Sequence, residues 1–183
     1  MKIAVIGRGN VGGGLADRWE RSGHDVTRIG KDGGDVSGAG AVLVAVPGGA
    51  IADALEKVDG LEGKTTIDAT NLVGADPPSG FASNADFVKS KTNGPTAKSF
   101  NLNFARVYDR LDDAGSRPSN IWSGDEEASD TVEQLIRDAG YEPVYLGGLE
   151  NARMQEEAIR LFFAINQAGT GAFFYRIASP DEF

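Results

Sequence analysis

The chain has 183 residues, with 18 Lys+Arg against 27 Asp+Glu, a formal net charge of −9, one histidine and no cysteine. That length suits one domain with a full core, and the missing cysteines exclude disulfides, thiolate zinc sites, iron–sulfur clusters and cysteine nucleophiles. The acidic balance argues against a nucleic-acid partner, which needs a dense basic face. A single histidine excludes a multi-histidine site, so no metal is expected.

The opening MKIAVIGRGN lacks a secretory layout, and its apolar run is too short to span a bilayer. A soluble, cytoplasmic protein with no membrane partner is expected. Residues 2–6 are rich in β-branched side chains and predict a strand. Gly7-Arg8-Gly9-Asn10-Val11-Gly12 follows at once and fits G-x-G-x-x-G. Helical spacing at Val11, Leu15 and Trp19 is stopped by Ser22-Gly23, and residues 25–29 resume as a strand. Strand, glycine loop, helix and strand is the context that a dinucleotide-binding fingerprint requires. The three glycines serve different ends. Gly7 allows the tight turn, Gly9 lets a pyrophosphate approach the backbone, and Gly12 lets helix and strand pack closely. Free N–H groups near Asn10 and Val11 would face the diphosphate at the positive end of the helix dipole.

The second strand ends in Arg28-Ile29-Gly30-Lys31, with Asp32 only after the turn. An acid at the strand end would favour NAD. Here Lys31 and Arg28 could pair with a ribose 2′-phosphate while Arg8 covers the adenine, which puts NADP(H) ahead of NAD. The alternative leaves both cations in solvent and gives the ribose to Asp32. Residues 30–40, GKDGGDVSGAG, hold five glycines and no apolar period. Interior glycines cost a helix about 1 kcal/mol each against alanine, so the crossover helix after strand two is expected to be absent or very short.

Residues 41–46 form a continuous apolar run, as in a strand buried on both faces. Val46 and Pro47 end it on the cofactor side, and a helix is predicted over 50–58. Residues 64–68 predict another strand, placing Thr70 and Asn71 at a carboxyl end, where open α/β sheets bind ligands, though turn capping would equally explain them. A short helix over 81–90, a strand over 96–101 and a helical turn or two over 104–111 follow. Lys98 and Asn101 on that strand are positioning candidates, with Lys98 equally readable as a surface cation. A strand over 120–124, a helix over 128–139 with an acidic first turn, and an edge strand over 142–146 complete the sheet. From 149 a final helix is expected to run towards Ile177, with Gly169 and Gly171 as points of division. His24 reads as a turn residue. The fold class is therefore α/β, a Rossmann doubly wound, mostly parallel sheet, with a dinucleotide-binding domain over 1–148 and a C-terminal helical segment over 149–183 that covers the sheet or meets a second subunit.

These residues resemble a known family, the coenzyme F420-dependent NADP oxidoreductases, and the related cytosolic reductase domain of the six-transmembrane metalloreductases. The resemblance rests on IGRGNVGGGLADRW, AVPGGAIADAL, IDATNLV followed by SNADFV, AKSFNLNFARVY, IWSGDEEASDTVEQLI and VYLGGLENAR. It implies a homodimer and hydride exchange between NADP(H) and a deazaflavin, coenzyme F420, as co-substrate. Where the family carries a Ser-Arg pair for the 2′-phosphate, this chain has Gly30-Lys31. Such a reaction needs ring stacking and distance control rather than side-chain acids, so no catalytic side chain is expected beyond the positioning candidates Thr70, Asn71, Lys98 and Asn101. Two other readings remain: an NADPH-dependent reductase of a flavin, ferric chelate or small carbonyl or imine, and a non-catalytic dinucleotide sensor or scaffold.

Overall fold

The computed structural model describes residues 1–182. Its first strand β1 (Lys2–Ile6) is buried from Ile3 onward and divides the core. Ile3 and Val5 face one apolar layer, Ala4 and Ile6 the other, as the two-residue side-chain period of a strand requires. Helix α1 (Asn10–Arg21) covers the first layer with Leu15, Ala16 and Trp19 and ends before Gly23, whose φ is 87°. Strand β2 (Asp25–Ile29) returns beside β1 in parallel.

No helix follows β2. A turn over 30–33 leads instead into a two-residue strand, β3 (Gly34–Asp35). The chain then crosses to the other side of β1 as β4 (Ala41–Val44), buried along its whole length. After Pro47 comes a single 3₁₀ turn, Gly48–Ala50, and the short helix α2 (Ile51–Leu55), so the predicted helix over 50–58 is in fact briefer. Strand β5 (Val58–Asp59) pairs with β3 in a separate two-stranded ribbon. That ribbon stands in the place of the crossover helix. Gly33, at φ 80°, is locked there, because a Cβ would lie 1.9 Å from the Lys57 carbonyl oxygen.

Strand β6 (Thr65–Asp68) and helix α3 (Asn84–Thr92) follow, with Ser83 capping α3 by accepting the Asp86 N–H at 3.0 Å. Strand β7 (Thr96–Lys98) stops three residues before the expected Asn101. The cause is Phe100, whose φ of 62° no strand can hold. After a 3₁₀ segment, Ala105–Asp113, strand β8 (Ser119–Gly124) lies antiparallel to β7. Helix α4 (Ser129–Asp138) and edge strand β9 (Glu142–Tyr145) end a seven-stranded sheet of order β2-β1-β4-β6-β7-β8-β9, parallel except at β7–β8.

Helix α5 (Ala152–Ile165) is shorter than the sequence suggests. A π-helical turn, Asn166–Thr170, follows, and Gly169 and Gly171 at φ 116° and 73° reverse the chain. The expected helix to Ile177 is thus corrected: residues beyond 171 run back along β8, where Ser119 N–H donates to the Tyr175 carbonyl at 2.8 Å. His24 is buried in its turn, with Nε2 2.8 Å from an Asp138 carboxylate oxygen.

Candidate functional site

β1 leads to β2 on one side and β4 follows on its other side, so the carboxyl ends of β1 and β4 border a topological switch point, where open α/β sheets bind ligands. A cleft of about 480 Å³ opens there, lined by Gly7, Arg8, Gly9, Lys31, Val46 and Pro47 among others. The three fingerprint glycines differ in what surrounds them. A Cβ on Gly7 would lie 2.3 Å from the Ala45 carbonyl oxygen, and one on Gly12 2.1 Å from that of Gly7. A Cβ on Gly9 would meet nothing within 4 Å. Two glycines are therefore packed against backbone, and the middle one faces open space. No side chain caps α1, so its first N–H groups, at Asn10, Val11 and Gly12, have no acceptor within the helix. An open glycine before an uncapped helix start is the shape a diphosphate needs, and these residues fit a dinucleotide.

At the ribose end, Gly33 N–H donates to the Gly30 carbonyl at 3.1 Å, closing a turn that carries Lys31 and Asp32 into the cleft. Asp53 and Ala54 of α2 form the facing wall. Of the expected cofactor contacts, Asn10, Val11 and Gly12 begin α1 next to the lining residue Gly9, and Arg28 does not line the cleft. It is turned to α1, where it pairs with Asp17 at 2.6 Å and with Glu20. Hydrogen bonding to Glu20 raises the Arg28 pKa still further, and the same bond holds the Glu20 carboxyl below its ordinary value. Pleat parity explains the direction: Val26, two residues earlier, packs into the α1 layer, so Arg28 lies on that face too.

The four positioning candidates are brought together, but behind the cleft. Lys98 is fully buried, which corrects the reading as a surface cation. Its ammonium donates to Asp68 at 2.7 Å, Glu156 at 2.8 Å and the Thr70 carbonyl at 2.6 Å. Asn71 and Asn101 bond to each other, the Asn101 side chain donating to Asn71 Oδ1 at 2.9 Å and the Asn71 side chain to the Asn101 carbonyl at 2.8 Å. Gln155 Nε2 donates to Asn101 Oδ1 at 2.7 Å, and Asn84 Nδ2 donates to Thr70 Oγ1 at 2.7 Å. Burial pushes the Glu156 carboxyl up, against the opposing pull of Lys98. The link to the cleft is the loop after Pro47: a Cβ on Gly48 would lie 2.3 Å from the Asn71 carbonyl oxygen.

Sequence reasoning missed Asn84, Gln155 and Glu156. A signal existed. Ala152, Gln155, Glu156 and Ile159 are the buried positions of α5, spaced as one helical stripe, and a lysine on a central strand requires a counter-charge.

No family model matches the chain, and no curated protein does. Solved structures do match. A protein from Arthrobacter sp. FB24, provisionally named an F420-dependent NADP reductase, superposes with a TM-score of 0.80 at 24% identity, covering 97% of this chain and 99% of that one. The likeness is one of fold, over nearly the full length of both chains. A hypothetical protein from Sinorhizobium meliloti matches with a TM-score of 0.66 at 25% identity, over 82% of this chain and 86% of its own. The reductive aminase of Aspergillus terreus, solved with NADPH, gives 0.67 at 16% identity; it is larger, this chain spanning 62% of its length. Among the described residues no helix is long and apolar enough to cross a membrane.

Proposed function

We propose that the chain is an NADP-dependent oxidoreductase exchanging hydride between NADP(H) and coenzyme F420. The observation that carries this reading is the glycine cradle at the switch point, with Gly9 open, α1 uncapped, and the cations Arg8 and Lys31 on the same cleft. When bound, the nicotinamide supplies or accepts the hydride. The chain's own work is binding and orientation: backbone N–H groups of α1 hold the diphosphate, and Val46 and Pro47 set the depth of the nicotinamide end. Thr70, Asn71, Lys98 and Asn101 act as positioning residues, since their network fixes the Asn71 loop against Gly48. F420 as the second substrate is supported by the K-S-F-N and G-G-L-E-N-A-R stretches and by the likeness, over nearly the full length of both chains, to the Arthrobacter protein.

A homodimer belongs to this reading, joined through the outer face of α5, where Met154, Leu161 and Ile165 are exposed. The test is anaerobic mixing of the protein with NADPH and F420. Loss of the deazaflavin absorbance band is expected. Oxidation of NADPH only with a flavin, ferric chelate, carbonyl or imine would move the acceptor, and binding without any turnover would make the chain a sensor.

A further inference from the structure

Arg8 stands in the glycine loop, and its guanidinium reaches across to the end of β2. Nη2 donates to the Arg28 carbonyl at 3.0 Å, at the end of β2. The rest of the group lies over Gly30: a Cβ there would sit 3.0 Å from Arg8 Cζ and 3.2 Å from Nε. The end of the second strand is where Rossmann folds meet the ribose 2′ position. Lys31 follows Gly30 in the turn and faces the same cleft. Among the described residues neither Arg8 nor Lys31 has an acidic partner, whereas Arg28 is held by Asp17 and Glu20.

Resting on the proposed dinucleotide function, we infer that Arg8 is the principal 2′-phosphate ligand of this chain, and that Gly30 is the specificity residue that makes room for it. A guanidinium offers a planar fork of donors that matches a phosphate, and anchoring one donor on the Arg28 carbonyl pre-orients the others. Any side chain at position 30 would compete with Arg8 for that space. Lys31 adds a second charge from within the turn that follows Gly30. Asp32 lines the cleft beside them as the competing ligand for an unphosphorylated ribose.

The test measures NADPH and NADH affinity separately, by calorimetry, for the parent chain, Arg8→Ala, Gly30→Val and the double variant. The parent should prefer NADPH. Arg8→Ala should cut that preference by about tenfold or more, through NADPH alone. Gly30→Val should do the same, and the double variant should be no worse than Arg8→Ala, because both remove one interaction. Melting midpoints should stay close to the parent's, since the crowded atoms are the far end of a flexible side chain. If Gly30→Val lowers the midpoint, Gly30→Ala should shift the preference in the same direction by less. Equal losses of NADPH and NADH in Arg8→Ala would return Arg8 to the adenine, and additive losses in the double variant would remove Gly30's role; either overturns the assignment alone. A parent chain that binds neither nucleotide overturns the dinucleotide function with it.

Discussion

Lys98 Nζ lies 2.8 Å from Glu156 Oε1, and both side chains are fully shielded from solvent. The contact joins β7 to α5 across 58 residues of sequence, and Asp68 holds the same ammonium from β6. One buried cation thus ties three elements together behind the cleft.

Removing that cation should be costly. Lys98→Met leaves two carboxylates buried without a counter-ion and should destabilise the fold by about 3–5 kcal/mol. Glu156→Gln keeps an acceptor for Lys98 and for the Asn84 N–H, so its cost should be about 1 kcal/mol. Adding Glu156→Gln to Lys98→Met should recover part of the loss, because the second change removes a stranded charge. Urea denaturation midpoints check all three; equal costs for the two single variants would contradict the arrangement.

The same cluster predicts a pH dependence. Burial raises the Glu156 carboxyl above its ordinary 4.5, despite Lys98. A group raised in the folded state contributes stability that is fully present below its unfolded value and is lost as pH climbs through the folded one. The stability of the parent chain relative to Glu156→Gln should therefore fall as pH rises above about 4.5, by at most about 1.4 kcal/mol per pH unit. Unfolding free energies of both proteins across mildly acidic to neutral pH give the comparison, and a rising difference would contradict it.

The glycine loop separates stability from binding. Gly12→Ala would put a Cβ 2.1 Å from the Gly7 carbonyl oxygen, against backbone that cannot yield, and should cost about 1–3 kcal/mol. Gly9→Ala meets nothing within 4 Å and should melt near the parent chain. It should nevertheless lose NADPH affinity, because the added methyl fills the approach to the α1 N–H groups. Melting curves and NADPH titrations of the two variants should cross over, the better folded one binding poorly.

What the sequence disclosed follows from how local each constraint is. The cradle was legible because Gly12 meets Gly7 and Val5 within one strand–turn–helix unit and Gly7 holds a φ of 111° in the turn, although the atoms crowding Gly7 belong to Ala45 and Val46, just after β4. The missing crossover helix was legible because the five glycines of residues 30–40 oppose a helix whatever surrounds them. Lys98 was ambiguous for the opposite reason: its burial depends on Glu156, far along the chain. Arg28 was misdirected by its nearness to Lys31, although the alternation with Val26 already set its face. The end of β7 could not be read at all, since the left-handed Phe100 is held by core packing, its ring edge-on to Trp19 at 5.7 Å and to Tyr141 at 6.5 Å.

The outer face of α5 supplies the last prediction. Met154 is 57% exposed, Leu161 61% and Ile165 37%, and their spacing sets them along one side of the helix. The Arg153–Glu157 ion pair at 2.8 Å borders this stripe, a charged rim beside an apolar strip, as protein interfaces tend to have. A single aspartate at its centre should block self-association without touching the core, because Leu161 makes little of the fold's buried surface. Leu161→Asp should melt within about 0.5 kcal/mol of the parent chain, as surface changes do. In light scattering at micromolar concentration the parent should weigh as a dimer and the variant as a monomer. A parent chain that is already monomeric, or a variant that stays dimeric, would remove α5 as the joining surface.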